Sequence, residues 1–194
     1  MIKFKPVFLV LFVVLFSASL SAQQKHEDEK KEVDEFAKKK PTTKLTEVIA
    51  TDSLPASELH KRAVHWIKEE SNKYKKTGGT SSGSKAECIA SFPVKPKDLN
   101  PQADYTGKIT MKVVIESKDN KYKYTVSDIT HISKSGNLTA GSIDNVVPEC
   151  GSQILHDVVW KKLKGEALRC AAQVVVDLKE GMLKHSDQHN KEEW

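Results

Sequence analysis

The chain changes period along its length, and the clearest segment is Lys108–Val126. Ile109, Met111, Val113 and Ile115 fall on one side; Thr110, Lys112, Val114 and Glu116 fall on the other. A period of two marks a strand with one covered face. Asp119-Asn120 follows, a pair that tolerates positive φ, and Lys121–Val126 runs back. This turn predicts a register: Lys118 faces Lys121, Glu116 faces Lys123, Ile115 faces Tyr124 and Val113 faces Val126. The inner pairs join apolar to apolar and Glu to Lys, a match that a slip of one residue would undo. After Val126 the phase shifts at Ser127-Asp128 before Ile129, which predicts a bulge, and the strand continues towards Ile132.

Other segments repeat these two periods. From Ala86, Cys88, Ala90, Phe92 and Val94 share a face, with Glu87, Ile89 and Ser91 opposite. Leu45–Thr51 reads as a short strand. Pro55 opens a helix, and Leu59, Ala63, Trp66, Ile67 and Tyr74 follow on one helical face. Thr77–Ser84, TGGTSSGS, is expected to end that helix as a flexible loop. Pro93, Pro96 and Pro101 mark an irregular connection, and Ser133–Gly151 reads as a second loop. In the last segment Val159, Leu163, Ala167, Cys170, Val174, Leu178 and Met182 step by three or four along a long helix, with Gly165 its weak point. Strand, helix, strands and long helix, in that order, predict an α+β fold. Its antiparallel sheet carries two helices packed on one face, and the other face meets water.

The ends carry a different signal. Lys3 and Lys5 precede an unbroken apolar run, Val7–Phe16, and small residues follow to Ala22. That is the order of a cleaved secretory leader, and the run is too short to span ~30 Å of hydrocarbon. The expected organisation is a signal peptide over 1–22, a charged tether over 23–44, an α+β domain over 45–184 and a polar tail over 185–194. Removing the leader takes away two of the 31 basic residues and lowers the formal net charge from +5 to +3. Cleavage leaves no membrane span, and export places the three cysteines, Cys88, Cys150 and Cys170, in an oxidising space. Their spacing fits no zinc site; Cys88 and Cys170 read as small buried thiols.

Several short stretches combine into a resemblance. They are Ser57-Glu58-Leu59 leading to Ala63 and Trp66-Ile67, then Tyr105-Thr106-Gly107-Lys108-Ile109, Ser117 to Tyr124, and the terminal helix to Leu178 and Met182. Over Leu45–Leu183 the chain resembles the domain-of-unknown-function family with a TATA-box-binding-protein-like fold, seen in exported proteins of Gram-negative bacteria. It departs from the family's habit at His60, where a tyrosine is usual, and at Asn120, where glycine is common. The resemblance implies the fold and an exported bacterial setting. It brings no catalytic residues.

That fold name raises the question of nucleic acid, as does the run Lys121-Tyr-Lys-Tyr124. Single-strand binders put aromatics and basic groups on one surface. Strand alternation separates them here, with Lys121 and Lys123 on the wet face and Tyr122 and Tyr124 under the helices. The reading is therefore no nucleic acid. Gly78 and Gly83 have the spacing of a phosphate loop, but Ser84-Lys85 reverses its final pair and the loop precedes a strand, so no cofactor is assigned. His60 and His65 do not share a helical face. His185 and His189 share one in the polar tail, and no metal is assigned there. No catalytic set is visible. Asn137-Leu138-Thr139 fits a eukaryotic glycosylation pattern, which the bacterial resemblance discounts. Asp52-Ser53-Leu54 resembles the Asp-Ser/Thr-aliphatic acceptor of O-glycosylation in some of the same bacteria, making Ser53 a candidate modification site. The sequence thus points to an exported, periplasmic or secreted, non-enzymatic binding or scaffolding module with an envelope protein or glycan as partner. The alternative is a periplasmic hydrolase whose site is assembled only in space.

Overall fold

The chain places one face of a sheet under two helices. The structure, a computed structural model, describes residues 42–95 and 106–184. The expected leader, most of the tether, the Pro96–Pro101 connection and the His185/His189 tail lie outside the described residues. The elements are β1 Leu45–Ala50, α1 Ala56–Lys68, β2 Lys75–Ser82, β3 Lys85–Val94, β4 Gly107–Lys118, β5 Lys121–Ser133, β6 Gly141–Ser142 and α2 Asp157–Leu183. They belong to one compact unit, Thr42–Trp194. The sheet is antiparallel and six-stranded in the order β1-β5-β4-β3-β2, with β6 pairing β5 beyond the end of β1.

The β4–β5 hairpin has the register its sequence predicts, from Lys118 with Lys121 to Val113 with Val126. Asn120 takes φ 60 at the tip. The predicted bulge is present: Asp128, at φ 55, and Ile129 together oppose Met111, because the register shifts between Thr110 and Lys112. The shift returns Ile129 and His131 to the helix side, where both are buried.

The helices cover the sheet unequally. α1 lies over β2, β3 and β4, and α2 over β4 and β5. Leu59, Ala63 and Trp66 of α1 and the whole predicted stripe of α2, Val159 to Met182, pack on Cys88, Met111, Val113, Ile115, Tyr124 and Val126. Burying side chains of this kind stabilises by roughly 1.5–3 kcal/mol each before entropy is charged. Gly181 allows the helices to close on each other, since a Cβ there would lie 2.5 Å from Trp66 Cδ1. Arg62 is buried beside them; its Nε donates to Glu58 at 3.0 Å and its Nη1 to the Met182 carbonyl at 3.1 Å. That cation satisfies a last-turn carbonyl of α2 and opposes its dipole. The start of α1 has no side-chain cap of its own. Asp119 at the hairpin tip supplies one instead, accepting from the Ala56 N–H at 2.8 Å.

Four expectations are corrected. Thr77–Ser84 is not a loop: residues up to Ser82 form most of β2, hydrogen-bonded along β3. An edge strand has only one neighbour to satisfy, and its polar sequence reflects an exposed position rather than the lack of a ladder. Its two glycines form a bulge opposite Cys88, and a Cβ on Gly79 would press to 2.7 Å from Ile67 Cγ2. Tyr74 does not lie on α1, which stops at Lys68; it precedes β2 and stacks on Phe92 with ring centroids 4.6 Å apart. The Ser133–Gly151 loop contains the short strand β6. Finally, Thr43 is held in the fold although it falls in the expected tether, because Asp144 accepts from its backbone N–H at 2.8 Å.

Candidate functional site

The open sheet face is built by the polar half of each alternation. β4 contributes Lys108, Thr110, Lys112, Val114, Glu116 and Lys118; β5 contributes Lys121, Lys123, Thr125, Ser127, Thr130 and Ile132. β3 adds Lys85, Glu87, Ile89 and Ser91, the edge strand β2 adds Lys75 and Thr77, and β1 adds Thr46 and Val48. Lysine therefore outnumbers carboxylate across the surface.

Glu87 and Glu116 are engaged by lysines. Glu87 holds Lys85 at 2.8 Å and Lys112 at 3.4 Å, and the hydrogen bond from Lys85 is the largest cause of its lowered pKa. Glu116 pairs with Lys123 at 3.0 Å, as the predicted register requires. Lys75, Lys108, Lys118 and Lys121 have no ion pair among the described residues, so the face presents uncompensated positive charge. Val48, Ile89 and Ile132 stand among these lysines and are 59%, 38% and 37% exposed. At one end lies a shallow depression of about 410 Å³. Pro93 and Ile132 supply apolar surface there, and Lys75, Lys108 and Lys134 also line it. Such a surface suits an acidic partner that also offers apolar groups.

No aromatic side chain lies on this face among the described residues. Tyr122 and Tyr124 point to the helices and are 3% and 4% exposed. The Tyr124 hydroxyl donates to Glu47 at 2.6 Å, and Lys179 of α2 reaches the same carboxylate oxygen at 2.6 Å. Burial first, and then that hydrogen bond, push the Tyr124 phenol up to about 12.

A second hollow, of about 700 Å³, lies between the end of β3 and the N-terminal half of α2. It is lined by Val94, Val159 and Leu163 together with Lys162, Glu166 and Arg169, of which the last two are ion-paired. Neither hollow contains the groups with the largest pKa shifts. Tyr74 and Cys88 belong to the core, where burial raises both, the Cys88 thiol to about 11. Among the described residues no group of three or more His, Cys, Asp or Glu is arranged to hold a metal ion. All three cysteines are free, with Cys150 the least buried.

The structure separates the other sequence candidates. Ser53 is exposed at φ 53 in the bend between β1 and α1. That bend is anchored on the hairpin tip: the Thr51 N–H donates to the Asn120 carbonyl at 2.9 Å, and the Asn120 N–H donates to the Leu54 carbonyl at 2.8 Å. His60 pairs with the Ser81 hydroxyl at 2.8 Å, and His65 is exposed elsewhere on α1. Gly78–Lys85 forms the β2–β3 hairpin and no phosphate cradle. Sequence reading missed the contributions of Lys75 and Thr77 because it ran α1 on to Tyr74 and took Thr77–Ser84 for a loop. It also missed His131, fully buried, whose Nδ1 accepts from the Ala140 N–H at 3.2 Å. Its place on the inner face becomes visible once the bulge is counted.

Comparison with known proteins supports this architecture. Residues 45–131 match the family model described as a domain of unknown function (DUF4468) with TBP-like fold. A TBP-like protein from Parabacteroides distasonis ATCC 8503 has a similar structure, with a TM-score of 0.53 at 12% identity over 73% of this chain and 92% of that one. A DUF4468 family protein from Bacteroides ovatus ATCC 8483 gives 0.52 at 4% identity, over 76% of this chain and 90% of that one. At such identities the likeness is one of fold. No curated protein matches the chain.

Proposed function

We propose that this chain, which carries the DUF4468 domain with its TBP-like fold over residues 45–131, is an exported, non-enzymatic binding module of the bacterial envelope. Its open sheet face engages an acidic protein or glycan surface. The observation that carries this reading is the excess of lysine, with Lys75, Lys108, Lys118 and Lys121 without an ion pair among the described residues, on a face that also bears Val48, Ile89 and Ile132 and that neither α1 nor α2 covers. Charge of one sign steers an acidic partner, and the exposed apolar groups give it something to bury. Export rests on the leader, Lys3 and Lys5 followed by Val7–Phe16 and a cut after Ala22. The separation of tyrosines from lysines disfavours nucleic acid, because bases would find no stacking partner on the charged side. Among the described residues no helix is long and apolar enough to cross a membrane.

Retention of the purified protein on polyglutamate and on a uronic-acid polysaccharide tests the reading, with single-stranded DNA as the comparison. The parent should be retained on an acidic polymer and released by salt. The triple variant Lys75→Glu/Lys108→Glu/Lys121→Glu should elute early while melting like the parent. Equal retention of parent and variant, or preferential retention on DNA, overturns the proposal. Export is checked separately: envelope protein should begin at Gln23, and cytoplasmic protein retaining Met1 overturns that part.

A further inference from the structure

Helix α2 buries one stripe and leaves a second without a partner among the described residues. Val158, Leu168, Val176 and Leu183 are 57%, 43%, 50% and 77% exposed. Lys161, Gly165, Ala172 and Glu180 are exposed between them. Steps of three or four keep all eight on the outward side of a helix about 40 Å long. A helix that is apolar on both sides is expected to be covered on both.

This outer stripe is complementary to its own reverse. Laid antiparallel on a second copy, Val158 meets Leu183, Lys161 meets Glu180 and Gly165 meets Val176, while Leu168 sits beside Ala172 and Gln173 near the centre. Two-fold symmetry repeats each contact. Lys161 and Glu180 have no ion pair among the described residues. The neighbouring Lys179 is engaged by Glu47 of its own chain. Gly165 is a second, independent sign. Glycine within a helix costs roughly 1 kcal/mol against alanine, yet a Cβ at this position would meet nothing within 4 Å. Packing among the described residues gives no reason for it, whereas a Val176 pressed against it from a second helix does.

We propose that the outer face of α2 pairs with the same face of a second copy, antiparallel, about a two-fold axis level with Cys170-Ala171. The pair buries the helices between the two sheets and leaves both lysine-bearing faces outward, so the assembly is bivalent. This goes beyond the proposed function and stands whether or not the open face binds an acidic partner.

Sedimentation of the purified protein from micromolar to near-millimolar concentration tests it. The parent should pass from the mass of one chain to that of two. Glu180→Lys alone and Lys161→Glu alone each turn two attractions into repulsions, and each should weaken the dimer by about tenfold or more. The double reversal Lys161→Glu/Glu180→Lys should restore it, because the pair re-forms across the axis. Val176→Glu should stay monomeric throughout. All three positions are exposed, and unchanged melting of the dilute variants separates lost association from lost folding. A parent that remains monomeric overturns the proposal, including one whose stripe is covered by its own residues 23–41. So does a dimer indifferent to the single reversals, or one that the double reversal fails to restore.

Discussion

Replacing Tyr124 measures what the inner face of the β4–β5 hairpin contributes. The ring is 4% exposed and sits opposite Ile115, which is fully buried. Removing an aromatic side chain from such a site leaves a cavity and costs roughly 3–5 kcal/mol. The hydroxyl adds a separate contribution through its 2.6 Å bond to Glu47. Glu47 keeps Lys179 when the hydroxyl is removed and is itself 46% exposed, so Tyr124→Phe should lose only about 1 kcal/mol. On the other face, Lys123 and Glu116 are 48% and 45% exposed, and Lys123→Ala should cost at most about 1 kcal/mol. At roughly 2–4 °C per kcal/mol for a chain of this size, Tyr124→Ala should lower Tm by about 6–20 °C. The other two variants should shift it by no more than about 4 °C. Thermal unfolding followed by circular dichroism, below the dimer range, gives the comparison. A Tyr124→Ala protein that melts like the parent while Lys123→Ala collapses would refute the assignment of the faces. An aromatic binding surface would then have to be considered.

The remaining predictions concern the same core. The Tyr124 phenol is raised from its ordinary 10 to about 12, so its contribution is fully present below pH 10 and is lost as pH climbs through that window. Tyr74 and Tyr122 are raised as well, by burial first. Melting temperature should therefore fall steeply above pH 10, together with late phenolate absorbance; early ionisation of every tyrosine in the folded protein would contradict this. Gly181→Ala forces a Cβ against Trp66 and should destabilise by roughly 1–3 kcal/mol. Gly165→Ala enters open space and should stabilise the dilute chain by about 1 kcal/mol, so denaturant titrations of the two variants should move in opposite directions. Under native conditions Cys150 should react first with a thiol reagent. Cys88 and Cys170, 2% and 7% exposed, should react only as the protein opens, and simultaneous labelling would show that the core is not closed.

Local signals determined what was legible in the sequence. The β4–β5 register follows from a two-residue turn and a strict alternation, and both lie within one short stretch. The inner stripe of α2 was likewise readable, because a period of 3.6 sustained from Val159 to Met182 has one way to be buried. The lysine-bearing face of β4 and β5 came with the same alternation, since the sides of a strand are set by parity alone.

Tertiary structure decided the rest, for reasons of pairing and cover. KKTGGTSS has no apolar period; it is a strand because β3 offers it a ladder and Gly79 lets Ile67 approach. With β2 in place, Lys75 and Thr77 join the open face, which sequence had drawn too narrow. Tyr74 was credited to α1 because its spacing from Trp66 and Ile67 suited a longer helix. The chain instead turns at Glu69, and the Lys76 ammonium takes up the Trp66 carbonyl while lying 4.4 Å from that indole's centroid. Asp119 capping α1 and Arg62 capping α2 are invisible in one dimension, since each joins elements far apart in the chain. The outer stripe of α2 is the sharpest case. Its residues were in plain view, but the period marks only the stripe to be buried, and no local signal says whether the opposite row is covered as well. Once the sheet covers Leu163 and Val174, Leu168 and Val176 are left facing outward.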